Sequence, residues 1–280
     1  MRNLPVPTTN DKVKYRSFIR TKRQPVKGRL TRVRAKVRKR YDEYITKAHR
    51  LENIDQSRIF GVCDDALVKC YTDSNTKTML SLREEILYPD LDNFDECPFC
   101  GINEPKTLDH YLPKELFPEF SIFSRNLIPI CGVCNSDYKR SQWIENGKRL
   151  FLHSYYDYFP DDYCFNLNVQ VGAKVFLEFE VNNIKSDKYF TNLFTNHFDK
   201  LALNKRFIRK AASEIIRKRS SFNRVFNKNN SALELSRTLQ NEATNLEHEY
   251  SKNHWKPVLY RGLAKSNDFC NGGFLKQVVQ

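Results

Sequence analysis

The chain is 280 residues long, 40% apolar and 13% aromatic, which excludes an intrinsically disordered chain and allows one large core or two smaller ones. No run reaches the roughly 18 to 20 apolar residues of a membrane span, and the charged N-terminus lacks an apolar signal region, so the expectation is a soluble, unsecreted, cytoplasmic protein with no membrane partner. The formal net charge of +14 is concentrated: residues 1–50 hold 17 Lys and Arg against three acids, whereas the rest balances 30 against 30.

After a polar lead with Pro5 and Pro7, residues 30–54 place Val33, Val37, Tyr41, Tyr44, Ile45, Ala48 and Leu51 at helical spacing, with basic residues on the other face. Arg32, Arg34, Lys36, Arg38, Lys39 and Arg40 are the expected nucleic-acid contacts there, because a charge block of this kind suits a segment lying on phosphates. The alternatives are a solvated tail or a docking arm for an acidic protein. A second helix is predicted over 78–87, ended by Tyr88-Pro89, since a residue before proline is pushed out of the helical region.

From 97 to about 143 the pattern breaks into short apolar pieces punctuated by Gly101, Pro105, Pro113, Pro118, Pro129 and Gly132, too fragmented to form a core unaided. An aromatic stretch containing His153 follows and reads as core. Partial alternation over 163–171 and 174–181 around Gly172-Ala173 predicts an antiparallel hairpin. Three helices are predicted over 189–202, 205–227 and 230–251, with Phe194, Phe198, Leu201, Ile208, Ile215, Ile216 and Phe222 inside, and the last 25 residues read as irregular. The fold class expected is α+β and mainly helical. Its expected parts are a basic N-terminal arm and amphipathic helix over 1–54, a cysteine-framed region over 55–155, and a hairpin with helices over 156–280.

Four of the eight cysteines form two Cys-x-x-Cys pairs, Cys97/Cys100 and Cys131/Cys134. Two knuckles 30 residues apart suit a tetrahedral four-thiolate Zn²⁺ site, which would be structural because sulfur fills every position. Such binding contributes folding free energy on the order of 10 kcal/mol and would stand in for the missing core. A thioredoxin-type redox pair is the competing reading, but it gains nothing from a second pair. Cys63, Cys70, Cys164 and Cys270 are expected to be free thiols, and His49, His197, His248 and His254 have no metal spacing.

Between the knuckles stand Asp109-His110 and Asn126-Leu-Ile-Pro129; Asn135 follows the last cysteine, with Lys139 four residues on. This order of residues resembles the HNH endonuclease family over about 50 residues. The resemblance implies a zinc-stabilised ββα-metal finger with His110 as general base and Asp109 and Asn135 as ligands of Mg²⁺ or Mn²⁺. It implies that Asn126 braces the loop facing the histidine. An acid and an amide oxygen favour a hard cation, which suits Mg²⁺. Lys114 and Lys139 are candidate phosphate contacts. The longer form, DHYLPKxLFPEF with NLIPxCxxCN, is similar to anti-phage HNH nucleases of the Septu type. That implies a defence effector cutting nucleic acid, DNA first and RNA second, beside a separate ATPase partner. A zinc-stabilised nucleic-acid-binding module without activity is the competing expectation, and each residue alone has a bland role: Asn135 as a helix cap, Asp109 as a turn residue.

Overall fold

Leu30, Val33, Val37, Tyr41 and Tyr44 recur at steps of three and four, which puts them on one side of a helix. In the computed structural model all five are buried along α2 (Val26–Thr46). The structure describes residues 1–56, 60–73, 75–89, 95–229 and 231–279. The chain divides into two units, Asn3–Tyr158, and Met1–Arg2 with Phe159–Gln280. Residues 3–54 therefore fold with the cysteine region rather than as an arm apart from it. Among the described residues, no helix is long and apolar enough to cross a membrane.

In the first unit, α1 (Asp11–Thr21) precedes α2, and α3 (Asp64–Thr72) and α4 (Lys77–Leu87) follow. Helix α4 starts where the Thr76 hydroxyl accepts from Met79 N and ends ahead of Pro89, close to its predicted bounds. Helix α1 was not predicted: only Tyr15, Phe18 and Ile19 of its apolar residues are buried, too few for a periodic signal in so charged a stretch. Strands β1 (Thr107–His110) and β2 (Leu127–Ile130) pair antiparallel with Asp109 opposite Ile128 and His110 opposite Leu127. A short hairpin of β3 (Ile144–Glu145) and β4 (Lys148–Arg149) comes after them.

The N-terminal helices pack on the loop between β1 and β2. Tyr41 stacks on Phe123 with ring centroids 4.2 Å apart, and the Asp11 carboxylate accepts from Ser124 N, Ser124 Oγ and Arg125. Arg40 corrects an expectation. Its guanidinium is buried, donates to Glu119 at 2.7 Å and to the Asp55 carbonyl at 2.6 Å, and also pairs with Glu43. It joins α2 to the loop and is not a phosphate contact, because five donors fixed in a fork suit a buried multi-acceptor site. Arg32, Arg34, Lys36 and Lys39 are exposed and Arg38 half-exposed, with no described carboxylate at ion-pair distance.

In the second unit, β5 (Phe165–Val171) and β6 (Val175–Val181) form the expected hairpin. Then come α5 (Lys188–Lys200), α6 (Leu203–Asn229) and α7 (Ala232–Tyr250), within a few residues of their predicted bounds. Phe165, Phe194, Phe198 and Phe207 share an aromatic core. Ile216, expected inside, is 59% exposed on α6. The C-terminal stretch read as irregular folds into α8 (Trp255–Lys265), α9 (Asn267–Cys270) and β7 (Val278–Val279), the last pairing parallel with β6. Helix α8 is buried almost all round, so it carries no amphipathic stripe to read. Gly262 is required there: a Cβ would lie 2.6 Å from Leu167 Cβ of β5. The architecture is α+β and mainly helical.

Candidate functional site

The cysteines come first because they set the frame. Cys97 N donates to the Asn103 carbonyl and Gly101 N to the Cys97 carbonyl, 2.7 Å each, folding a tight turn that Gly101 completes at φ +60. Cys131 follows β2 directly, and Asn135 N donates back to its carbonyl at 3.0 Å. All four thiols are buried, and their sulfurs lie within 4.8 Å of one another, with Cys100 and Cys131 3.9 Å apart. A tetrahedral zinc with bonds of about 2.3 Å requires sulfurs about 3.8 Å apart. Burial pushes the Cys97 thiol well above its ordinary value, so thiolates gathered here need a cation. The donor set and spacing fit a zinc ion, and no other His, Cys, Asp and Glu cluster among the described residues does so. Cys63, Cys70, Cys164 and Cys270 are buried free thiols.

Val133–Lys139 forms a wide helical turn closed by Arg140 N on the Asn135 carbonyl at 2.7 Å, an i to i+5 bond. On β1, Thr107 and Asp109 share a face; on the turn, Asn135 and Lys139 are four residues apart and share one too. The two spacings match. Asn135 Nδ2 donates to Thr107 Oγ1 at 3.2 Å, and Lys139 Nζ donates to Asp109 Oδ1 at 3.0 Å and to the His110 carbonyl at 3.1 Å. Lys139 is fully buried, 5.9 Å from the Phe151 ring centre, which corrects its expected role as a phosphate contact. Lys114 lines the cleft but is paired with Glu115 at 2.5 Å.

Asp109, His110 and Asn135 line one cleft of about 590 Å³ together with Tyr71, Lys114 and Arg140. The His110 tautomer follows from its partner: the Ser121 carbonyl, 2.9 Å away, can only accept, so Nε2 carries the proton and Nδ1 is left with a lone pair. Burial pushes His110 down to about 3, and the edge-on Tyr71 ring lies 4.3 Å away, so the imidazole is neutral at pH 7. Burial likewise raises the Asp109 carboxyl, against the pull of Lys139.

Asp109 and Asn135 each carry an oxygen that accepts no described hydrogen bond of good geometry. Asp109 Oδ2 is buried with no hydrogen bond of good geometry, although the Lys139 ammonium lies 2.9 Å away. The Thr107 hydroxyl donates to the Ile130 carbonyl, so it must accept from Asn135 Nδ2, and Asn135 Oδ1 has no partner among the described residues. A carboxylate oxygen and an amide oxygen are donor types that a hard divalent cation takes.

Asn126 is wholly buried and braces the loop between the strands. Its Oδ1 accepts from Leu112 N at 2.8 Å, and its Nδ2 donates to the Leu112 carbonyl at 3.0 Å and the Phe120 carbonyl at 3.4 Å. The loop so held carries the Ser121 carbonyl that orients His110. Behind Asn126, the Tyr44 hydroxyl lies 3.2 Å from Asn126 Oδ1 and 2.9 Å from His153 Nε2. Tyr155 N donates to His153 Nδ1, so Nε2 is the protonated nitrogen and donates to Tyr44, which donates onward to Asn126.

Sequence reasoning missed three contributors. Tyr71 comes from α3, an element it did not foresee. Ser121 acts through its backbone, which no residue type reveals. Arg140 is exposed on the cleft wall at φ 53, without a described carboxylate partner. The wide turn buries Lys139 and turns the next residue outward.

The chain is similar to the protein Ea31 of Escherichia phage lambda, 32% identical over an alignment of 194 positions that covers 64% of each chain. It therefore spans a little under two thirds of that relative's length. No family's sequence pattern matches the chain, and no solved structure does.

Proposed function

We propose that this protein is a metal-dependent endonuclease of the HNH type that hydrolyses phosphodiester bonds, with DNA the first substrate class and RNA the second. The observation that carries the reading is the lining of one cleft: a neutral His110 with Nδ1 free, beside the Asp109 carboxylate, which is ion-paired with Lys139, and the Asn135 amide oxygen, which has no described partner. A phosphodiester resists attack because it is anionic, so its hydrolysis needs an activated water and charge stabilisation at the phosphate and the leaving oxygen. His110 Nδ1 takes the proton of the attacking water, while Nε2 stays on the Ser121 carbonyl and holds the ring. Asp109 and Asn135 would hold Mg²⁺ or Mn²⁺, which when bound supplies positive charge to the phosphate and leaving-group oxygens. Lys139 keeps the Asp109 carboxylate in place from behind, and Arg140, with no carboxylate partner among the described residues, is a cation on the approach to the cleft. The cysteine cluster, holding structural zinc, keeps β1, β2 and the turn in register.

Purified protein incubated with matched DNA and RNA panels, with and without Mg²⁺, is expected to cleave in a Mg²⁺-dependent way that His110→Ala abolishes. Full activity in His110→Ala would remove His110 as the base, and cleavage of no substrate would favour a binding module.

The role of defence effector beside a separate ATPase rests on the motif's resemblance to the Septu-type nucleases. Copurification of an ATPase with the chain supports it; a monodisperse protein fully active alone counts against it.

A further inference from the structure

The even balance of charge beyond residue 50 conceals a strong segregation. Helix α6 holds nine Lys and Arg against one acid, Glu214, whereas the rest of 159–280 is close to neutral. The apolar side of α6 is spent on the core: Leu203, Phe207, Ala211, Ile215 and Phe222 are all buried. Its opposite side exposes Lys205, Arg209, Lys210, Arg217, Arg224 and Lys228. Only Arg217 of these is paired, with Glu214; the other five have no described carboxylate at ion-pair distance.

We infer that the solvent face of α6 is a second phosphate-binding surface, which seats the sugar-phosphate backbone of a nucleic acid independently of α2. It deepens the nucleic-acid reading above and rests on it for the choice of polymer. At 1.5 Å per residue the cations from 205 to 228 span about 35 Å, the length of several successive phosphates. Between them lie exposed Ser220, Ser221 and Asn227, short donors that suit phosphate and sugar oxygens. A membrane surface is disfavoured because, among the described residues, Ile216 is the one large apolar side chain exposed along this face, and an inserting helix needs a continuous apolar side. Against an acidic protein surface, cations spread along the length of one helix face match a polymer of regular charge.

The test uses the full chain in magnesium-free buffer, with fluorescent duplex DNA, single-stranded DNA and RNA of one sequence titrated across a salt series. A variant with Lys205, Arg209, Lys210 and Arg224 all changed to Gln is compared with one carrying Arg32, Arg34, Lys36 and Lys39 changed to Gln. The α6 variant is expected to bind at least about tenfold more weakly and to lower the log–log salt slope by about 3, at 0.7 to 0.9 per phosphate contact. Arg209→Gln alone should lower that slope by about 1, so the result does not depend on the quadruple variant folding. Unchanged affinity and slope in the α6 variant overturn the inference, as does stronger wild-type binding to anionic phospholipid vesicles than to any nucleic acid. Mg²⁺-dependent cleavage is read separately: loss of cleavage in His110→Ala with unchanged binding bears on the nuclease reading alone.

Discussion

The Lys139 ammonium lies 2.9 Å from one Asp109 oxygen and 3.0 Å from the other, with both side chains shut away from solvent. Each charge is there because the other is: neither could be buried alone without several kcal/mol of desolvation cost. Lys139→Met should therefore destabilise the protein by about 3 to 5 kcal/mol, whereas adding Asp109→Asn should recover a substantial part of the loss. Urea denaturation of both single variants and the double variant measures the coupling. Strictly additive losses would mean that the pair has no interaction energy.

Zinc should be inseparable from folding. Elemental analysis of purified protein is expected to find one zinc per chain, lost in Cys100→Ser but retained in Cys164→Ala, since Cys164 lies outside the cluster. Chelation should abolish the cooperative unfolding of the unit that contains the cysteines, because zinc supplies on the order of 10 kcal/mol in such sites. The same melting curve with and without zinc would contradict this.

Tyr44→Phe removes one hydroxyl that joins His153 to Asn126. The variant leaves a buried donor and acceptor short of a partner, so a loss of about 1 to 3 kcal/mol is expected, with the ring packing on Phe120 and Phe123 retained. If the hydroxyl also steadies the loop carrying Ser121, Mg²⁺-dependent cleavage should fall with stability restored by lower temperature. A variant as stable and active as the parent would show the network to be dispensable.

Acid should weaken the fold through His153. Burial holds its imidazole well below the ordinary value of 6.5, so the folded protein stays unprotonated where the unfolded chain takes up a proton. Stability from this group is present above pH 6.5 and lost as pH falls below it, by at most about 1.4 kcal/mol per pH unit. Asp11 and Glu119, whose carboxyls burial raises, oppose this trend, so the comparison is with His153→Gln. The difference in stability between parent and variant should shrink as pH drops from 7 to 5. A difference constant across that range would place the His153 proton elsewhere.

Much of the site could be read in one dimension because its chemistry is local. Two Cys-x-x-Cys pairs, an Asp-His dipeptide, and Asn126 and Asn135 declare themselves through type and spacing, and the hairpin and long helices through period. The missed elements failed for definite reasons: α8 is buried on all sides, and α1 buries too few apolar residues to show a stripe. Tertiary structure alone decided which cations are free. Lys139 and Arg40 are basic letters like their neighbours, yet buried carboxylates claim both, while Arg140 and five of the six exposed cations on α6 have no described carboxylate partner. A charge's role depends on what lies within a few ångströms of it, and for these residues the partner is distant in sequence: Asp109 is 30 residues from Lys139, and Glu119 is 79 from Arg40.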